Sequence, residues 1–397
     1  MDRGKIKEII NYIFNYIDKG IDVTEYATYK GHPALYFFHS KEEFNKKLDS
    51  LLIKNLYDKY DLYYITQSLI KFLLGKYDSH TKIWFEDQVA FPIKFKMENN
   101  KIYIVNTIFD YEDAIGGEII SINSIPITQI LKELDCIICY STLEYFKELS
   151  TDYIRQIKIL KSLPSINNDC KIFTYKANLN GKEHDLVFDS DYKYKNYNEK
   201  KIINYTFEII DNIIVIHYNS CRDRVKMNEL IKDIKLEKTK RNIRGYIVDL
   251  RDNNGGDSTI VEPLIEYLTG ENVVTLVNGN VFSSGELAMV DLKQNGSYII
   301  GTDIGTSKNY FGESPGRLYL KEFGLVVKKS CKYWYCDNDY NYNGYTKEKF
   351  FEKFKDKNGL LEPMIIKPDE YVYISVEDIL NNNDPQLNRA IDYIKSK

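Results

Sequence analysis

Residues 245–256 of this 397-residue chain read GYIVDLRDNNGG. The first six residues are mostly apolar, which is typical of a strand buried on both faces, and two glycines follow the end of that strand. Glycine lets the backbone turn with a positive φ and lets a ligand approach the chain closely. Ligands of open α/β sheets bind at the carboxyl ends of the strands. Residues 253–256 therefore have two interpretations, an anion or oxyanion cradle and an ordinary turn between strand and helix.

Three further apolar runs surround this stretch. Residues 213–216, 273–277 and 298–300 read IIVI, VVTLV and YII. A helical pattern over about 284–294 separates the last two. Strands that alternate with helices predict a largely parallel sheet covered on both faces. We therefore predict an α/β domain over residues 206–397.

The first 90 residues are predicted to be mainly helical. Leu62, Ile65, Leu69 and Leu73 recur at spacings of three and four, as expected for one face of a helix. Gly75 is a plausible C-cap for this helix.

Residues 91–205 are predicted to be mostly β-structure. Residues 101–105 form a strand pattern, and residues 116–127 read as a strand, a tight turn and a short strand before a helix. Three segments result: a helical region over 1–90 that ends in the Ser79–His80 turn, a β-rich module over 91–205 and the α/β core.

The composition excludes several classes of protein. The net charge is −4, so no basic field is available for phosphates and we expect no nucleic-acid partner. The N-terminus lacks the features of a signal peptide, and no run approaches the roughly 18 apolar residues of a membrane span. We therefore expect a cytoplasmic protein with no membrane partner. Cys136 and Cys139 form a C-x-x-C without a second pair at zinc-ribbon spacing, which favours free thiols over a metal site.

A serine pair follows the strand at 273–277. Residues 283–286 read SSGE, and Ser-x-x-Glu is the pattern of a capping box at a helix start. A serine in this position also lies at the positive end of the helix dipole, where developing negative charge is stabilised. Both interpretations are compatible with Ser283.

A serine nucleophile needs a base near neutral pKa, and histidine is the usual one. His80 follows Ser79 in a turn after the predicted helix. A lone histidine near a turn is more often a surface residue or a core residue with satisfied hydrogen bonds, so this pattern alone does not decide its role.

Taken together, these motifs resemble one family. Residues 249–256, 283–286 and 299–301 look like the core of the tail-specific (carboxy-terminal processing) proteases and their tricorn-protease relatives. Residues 117–127 are similar to the PDZ-like module of that family, and residues 367–372 to its closing segment. The resemblance implies a crotonase-like α/β catalytic core, preceded by helical and PDZ-like parts.

The resemblance also implies a set of site residues. The family nucleophile falls on Ser283, and the amide of Ser284 would hold an oxyanion. Gly255 and Gly256 match the other oxyanion element. No cofactor or metal is implied, and the partner would be a peptide or an unfolded protein.

The base differs between the two branches of the family. Processing proteases place a lysine at the position of Ser307 here, and Lys308 is one residue late. A lysine base must be desolvated to lose its proton near neutral pH, and the polar run around Lys308 predicts little desolvation.

The tricorn-like branch uses a Ser-His pair and a later glutamate. Ser79 and His80 fit the pair, and a histidine needs no tuning of its pKa to act as a base. Glu313 and Glu362 are both candidates for the glutamate, and we prefer Glu313.

We therefore expect a serine-type peptidase in which His80 takes the proton of Ser283 and an acyl-enzyme forms. Two alternatives stay open. One is a non-catalytic protein that binds peptides or apolar ligands on the same fold, as do the retinoid-binding modules of interphotoreceptor retinol-binding protein. The other is an enzyme that binds a phosphate ligand at residues 253–256.

Overall fold

The computed structural model of the chain describes residues 1–24, 27–192, 204–337, 341–354 and 364–397. The contacts group the chain into two compact units. The first unit comprises Met1–Ser141, Leu149–Tyr197 and Ser307–Met364, and the second comprises Thr142–Glu148, Asn198–Thr306 and Ile365–Lys397. The contiguous segments 1–90, 91–205 and 206–397 divide the chain differently, and they stay a prediction about its domains.

The described residues form helices and strands throughout the chain. The helices are α1 (Arg3–Lys19), α2 (Lys41–Leu51), α3 (Lys59–Leu74), α4 (Ile127–Asp135), α5 (Leu143–Tyr153), α6 (Ile157–Ser162), α7 (Arg224–Lys240), α8 (Glu262–Leu268), α9 (Ser284–Gln294), α10 (Lys347–Lys353), α11 (Val376–Leu380) and α12 (Pro385–Lys395). The strands are β1 (Gly20–Thr24), β2 (Ala27–Lys30), β3 (Lys82–Phe85), β4 (Ile93–Glu98), β5 (Lys101–Thr107), β6 (Glu118–Ile122), β7 (Ile125–Pro126), β8 (Ile172–Leu179), β9 (Lys182–Asp189), β10 (Thr206–Ile210), β11 (Ile213–His217), β12 (Gly245–Asp249), β13 (Val273–Val277), β14 (Tyr298–Gly301), β15 (Tyr310–Gly312), β16 (Leu318–Leu320), β17 (Leu325–Lys328), β18 (Lys332–Cys336), β19 (Tyr342–Tyr345) and β20 (Glu370–Tyr371).

The second unit is built on a six-stranded sheet in the order β10-β11-β12-β13-β14-β20. β10 runs antiparallel to β11, and the other neighbours pair in parallel. Every residue of β12 and of β13 is buried, because a parallel strand in the middle of such a sheet is covered on both faces. The predicted parallel α/β arrangement is confirmed.

Helix α12 closes the core of this unit. Its residues Ala390, Ile391 and Ile394 pack with buried aliphatic side chains of the sheet. Burying one such side chain contributes about 1.5–3 kcal/mol, so the helix and the sheet stabilise each other. The other members of this cluster are Ile213, Val215, Ile247, Val274, Leu276 and Ile300.

The first unit contains antiparallel sheets. β4, β5, β6, β8 and β9 pair in that order, and β7 pairs with β6. Two three-stranded sheets have the orders β16-β17-β3 and β15-β18-β19, and β1 pairs with β2.

The N-terminal prediction is correct in its main helix. α3 begins at a capping box formed by Asp58 and Asp61 and has Gly75 as its C-cap, as predicted. The first 90 residues also contain β1–β3, and residues 91–205 also contain α4–α6. In α4 the buried Ile130 and Leu134 are four residues apart, which is the spacing of a helix face. Among the described residues, no helix combines the length and the apolar composition that a membrane span requires.

An ion-pair network ties the end of β12 to the start of α12. The guanidinium group of Arg251 donates to Asp249 Oδ2 at 2.7 Å and lies 2.8 Å from Asp384 Oδ2. Asp384 also caps α12 by accepting from the N–H of Leu387 at 3.0 Å. The charges are therefore mutually compensated where the sheet meets the helix.

Arg251→Met should lower the free energy of unfolding by about 2–3 kcal/mol, because it leaves the buried Asp249 carboxylate without its cation. Urea denaturation measures this change. Lys238→Met is the matched control: its ion pair with Glu271 lies at the surface, so we expect a loss below about 1 kcal/mol. Equal effects of the two variants would show that the network does not stabilise the fold.

Candidate active site

Ser283 occupies an unusual backbone conformation directly before α9. Its φ is 57° and its ψ is −126°, a region that L-residues rarely adopt. Holding a non-glycine residue there costs on the order of 1–3 kcal/mol, and such strain clusters at functional sites. The Ser283 side chain makes no capping hydrogen bond. The capping-box interpretation of Ser283 and Glu286 is therefore wrong, and the hydroxyl of the partly exposed Ser283 does not cap the helix.

The glycine loop lies against this serine within the same unit. A Cβ atom on Gly255 would stand 2.9 Å from both the Ser283 Cβ and the Ser284 nitrogen. Gly255 also has a φ of 95°, so only glycine fits without strain. The structure thus brings the two predicted motifs, residues 253–256 and 283–286, into direct contact.

Two backbone amides beside Ser283 remain available as donors. The N–H of Gly255 donates a hydrogen bond to Asn253 Oδ1 at 3.0 Å. Among the described residues, no acceptor takes the N–H of Ser284 or of Gly256. The Ser284 hydroxyl donates to the Gly256 carbonyl at 2.8 Å, which joins the helix start to the loop. The N–H groups of Ser284 and Gly256 are therefore unoccupied within the described residues, whereas that of Gly255 has an acceptor; the oxyanion roles of all three residues stay a prediction.

Asn253 had no separate role among the sequence-based predictions, and it is fully buried. Its side-chain amide donates to the Tyr218 carbonyl at 2.9 Å, and its own carbonyl accepts from the N–H of Phe282 at 3.0 Å. A Cβ on Gly285 would meet that carbonyl at 2.4 Å. Asn253 therefore fixes both the glycine loop and the chain that enters Ser283. The available signal was a polar residue between a buried strand and two glycines.

The turn that carries His80 belongs to the first unit. The carboxylate of Asp78 accepts from the backbone N–H of His80 at 2.7 Å and of Thr81 at 3.0 Å. The His80 ring is buried and stacks on Tyr310 with ring centres 5.6 Å apart. Ser79, between Asp78 and His80, is partly exposed.

A second histidine, which sequence analysis missed, supports this turn. His32 Nε2 lies 3.0 Å from Asp78 Oδ2, and its Nδ1 accepts from the N–H of Ala34 at 3.0 Å. The ring must therefore donate from Nε2 to Asp78. Ser330 Oγ donates to the same carboxylate at 3.1 Å. No local pattern links His32 to Asp78 along the chain, so sequence alone gave no signal.

The electrostatics of the turn follow from its burial. Burial alone would raise the pKa of Asp78, but hydrogen bonds from His32 and Thr81 outweigh it and lower the pKa to about 2. Burial, with help from the nearby Lys328, lowers the pKa of His80 to about 3. His80 is therefore neutral at pH 7. The expectation that its pKa needs no tuning is wrong, because the ring is desolvated.

The remaining candidates lie as follows. Lys308 is buried, so it is less solvated than the polar run around it predicted. Ser307 is buried and donates its hydroxyl to the Asn309 carbonyl at 2.7 Å. Glu313 is at the surface and lies 3.0 Å from Lys332 Nζ. Glu362 lies outside the described residues.

The predicted nucleophile and oxyanion residues belong to the second unit: Ser283, Ser284, Gly255 and Gly256. The predicted base and its partners belong to the first: Ser79, His80 and Glu313. The pairing of Ser283 with His80 stays a prediction. No group of three or more His, Cys, Asp or Glu side chains that could hold a metal is present in the described part of the chain.

Comparison with solved structures identifies the fold. Mature CPAF complexed with lactacystin matches with a TM-score of 0.62 at 10% identity, over 99% of this chain and 97% of that chain. The chain has the fold of CPAF. A second structure of mature CPAF matches with a TM-score of 0.60 at 9% identity, over 99% and 96% of the two chains.

Weaker matches include the photosystem II D1 C-terminal processing protease, with a TM-score of 0.42 at 10% identity over 95% of each chain. No protein-family model matches the sequence, and no curated protein matches it. The two CPAF matches show the fold, whereas assignment to the processing proteases and to their Ser-His branch stays a prediction.

Burial of His80 should make the chain sensitive to acid. The unfolded chain binds a proton on His80 below a pH of about 6.5, whereas the folded chain does so only near 3. The stability that depends on neutral His80 is therefore present above about pH 6.5 and is lost as the pH falls toward 3. His80→Gln should remove about 1.4 kcal/mol per pH unit from the slope of unfolding free energy between about pH 6 and 4.

Urea denaturation at several pH values measures this slope. Ser79→Ala is the matched control, because it alters the neighbouring residue without removing a titrating group, and it should keep the slope of the unmodified chain. An unchanged slope in His80→Gln would show that His80 is not desolvated in the folded chain.

Proposed function

We propose that this chain is a serine peptidase with Ser283 as its nucleophile. The observation that carries the proposal is the strained backbone of Ser283, with φ 57° at the start of α9, beside the available N–H groups of Ser284 and Gly256. Maintained strain at an uncapped serine favours a chemical role over a structural one. The resemblance to processing proteases and the fold shared with CPAF support the same class.

In the proposed reaction, Ser283 Oγ attacks the carbonyl carbon of a peptide bond while its proton passes to His80. The N–H groups of Ser284 and Gly256 stabilise the oxyanion of the tetrahedral intermediate. The C–N bond then breaks, and His80 gives the proton to the leaving amine. Water hydrolyses the acyl-enzyme in the reverse sense, with His80 taking a proton from water and returning it to Ser283.

Other residues would position this machinery. The Asp78 carboxylate holds the turn that carries His80, and Ser79 has the place of the serine in the Ser-His pair of the tricorn-like branch. Glu313 forms an ion pair with Lys332 at the surface. Either Glu313 or Glu362 would therefore be the acid that supports the base.

We also propose a domain architecture, a substrate class and a cellular location for this chain. Residues 206–397 would be a crotonase-like catalytic core, and residues 91–205 would contain a PDZ-like module. The substrate would be a peptide or an unfolded protein, in the cytoplasm.

Covalent labelling with a fluorophosphonate probe tests the nucleophile. Ser283→Ala should abolish labelling and lower turnover by about 10⁶-fold, as loss of a catalytic serine does. Ser284→Ala is the matched control and should keep labelling, since the proposed donor of Ser284 is its backbone N–H. Labelling that survives in Ser283→Ala but not in Ser284→Ala would show that Ser284, and not Ser283, is the nucleophile. No labelling of the unmodified chain would favour a non-catalytic peptide-binding protein.

The base is tested by comparing His80→Ala with Lys308→Met. We expect His80→Ala to abolish nearly all hydrolysis and Lys308→Met, once shown to be folded, to retain most of it. Because the pKa of His80 is lowered to about 3, kcat/KM should be nearly flat between about pH 5.5 and 8. A profile that keeps rising above pH 8, with an inactive Lys308→Met and an active His80→Ala, would favour a lysine base.

A further inference from the structure

Three cationic side chains form a row across one face of the β16-β17-β3 sheet. Lys82 and Lys328 are directly opposite each other in the antiparallel pair of β3 and β17. Arg317 directly precedes Leu318, which is opposite Val327, and it lies near enough to Lys328 for its charge to lower the pKa of that lysine. Directly opposite residues of an antiparallel pair project to the same face. We call Lys82, Lys328 and Arg317 the cation row.

The cation row lacks directly paired carboxylates in the described part of the chain. None of the three side chains forms an ion pair with a carboxylate among the described residues. Arg317 donates to the backbone carbonyls of Ser314 and Gly316, which are uncharged. Like charges directly opposite each other in a sheet are destabilising. The fold therefore maintains an unfavourable arrangement here.

Two carboxylates influence the pKa values of these lysines, but both form hydrogen bonds elsewhere. The charge of Asp78 raises the pKa of Lys328, but the oxygens of Asp78 accept the hydrogen bonds of the His80 turn. Asp152 acts on Lys82, but its side chain is half-exposed and bonded to Gln156. Burial and mutual repulsion lower the pKa of Lys328 to about 7, as expected where a counter-ion is missing.

The cation row adjoins the proposed base. Each of the three residues is partly exposed, and Lys82 follows His80 by two residues. Lys82 and Lys328 both lower the pKa of His80. The Arg317 guanidinium lies over the Trp84 ring, 5.7 Å from its centre. A planar guanidinium beside two ammonium groups suits a carboxylate, which accepts charge-assisted hydrogen bonds from both.

We propose that Lys82, Lys328 and Arg317 form an anion subsite beside His80 that binds a carboxylate of the peptide substrate. This inference rests on the proposed peptidase function. The carboxylate can belong to an acidic side chain or to the C-terminus of the peptide, and the two sources share the same recognition chemistry.

Binding to the Ser283→Ala chain tests the subsite without consuming the peptide. The probes are acetyl-Ala-Ala-Glu-Ala-Ala-amide, its Gln counterpart, and the Gln peptide with a free C-terminal carboxylate. Calorimetry at low salt should show one acidic probe binding about tenfold or more tightly than the neutral peptide, because two or three charge-assisted contacts form. Which acidic probe gains identifies the source of the carboxylate.

Variants of the row provide the decisive comparison. In Lys82→Met/Lys328→Met the preference for the acidic probe should fall below about twofold, since the charge-assisted contacts are gone. The melting temperature should stay equal or rise, because repulsion is relieved; purely structural lysines would lower it. Lys332→Met, which alters the surface lysine paired with Glu313, should keep the preference.

Equal binding of the three probes, or no binding of any, would overturn the subsite, as would a preference that survives in Lys82→Met/Lys328→Met. Failure of the proposed function is seen separately, as absence of fluorophosphonate labelling at Ser283 in the unmodified chain.

Discussion

The fully buried side chain of Asn253 is the constraint on which the site in the second unit depends. It holds the N–H of Gly255 at 3.0 Å and the carbonyl of Tyr218 at 2.9 Å, while its backbone carbonyl receives the N–H of Phe282. These bonds fix the chain on both sides of the close approach between Gly255 and Ser283. A strained φ persists only where the surroundings over-determine it, and Asn253 supplies much of that determination. The strained conformation of Ser283 is therefore maintained by the hydrogen bonds that Asn253 forms with the chain around it.

The first unit contains a buried carboxylate with a similar organising role. Asp78 has no exposed surface and accepts hydrogen bonds from His32, Ser330 and the two residues that follow Ser79. An ionised carboxylate is tolerated at such a depth only where its oxygens are fully bonded. This requirement fixes the turn, and the turn fixes the position of His80. In both units, backbone geometry at a candidate site is set by one fully buried polar side chain.

The sequence predicted what depends on local pattern. The mostly apolar runs at 245–250 and 273–277 predicted buried parallel strands, because they are short and alternate with helical patterns. Long-range and conformational facts were beyond it. The contact of His32 with Asp78 joins residues 46 positions apart, and the Ser-x-x-Glu pattern at 283 fits a capping box that the strained backbone does not form. The pKa of His80 depends on burial, which sequence spacing does not encode.

A neutral histidine with a pKa near 3 is a weak base in the free chain, because the efficiency of general-base catalysis depends on how closely the pKa approaches the working pH. Part of the lowering comes from the positive charges of Lys328 and Lys82. A carboxylate bound by the proposed cation row would offset these charges and raise the pKa of His80 toward its ordinary value. The desolvation of the ring would remain. The base strength of His80 would then increase when an acidic substrate is bound. The same positive charges that select an acidic substrate would therefore slow the hydrolysis of substrates that lack a carboxylate.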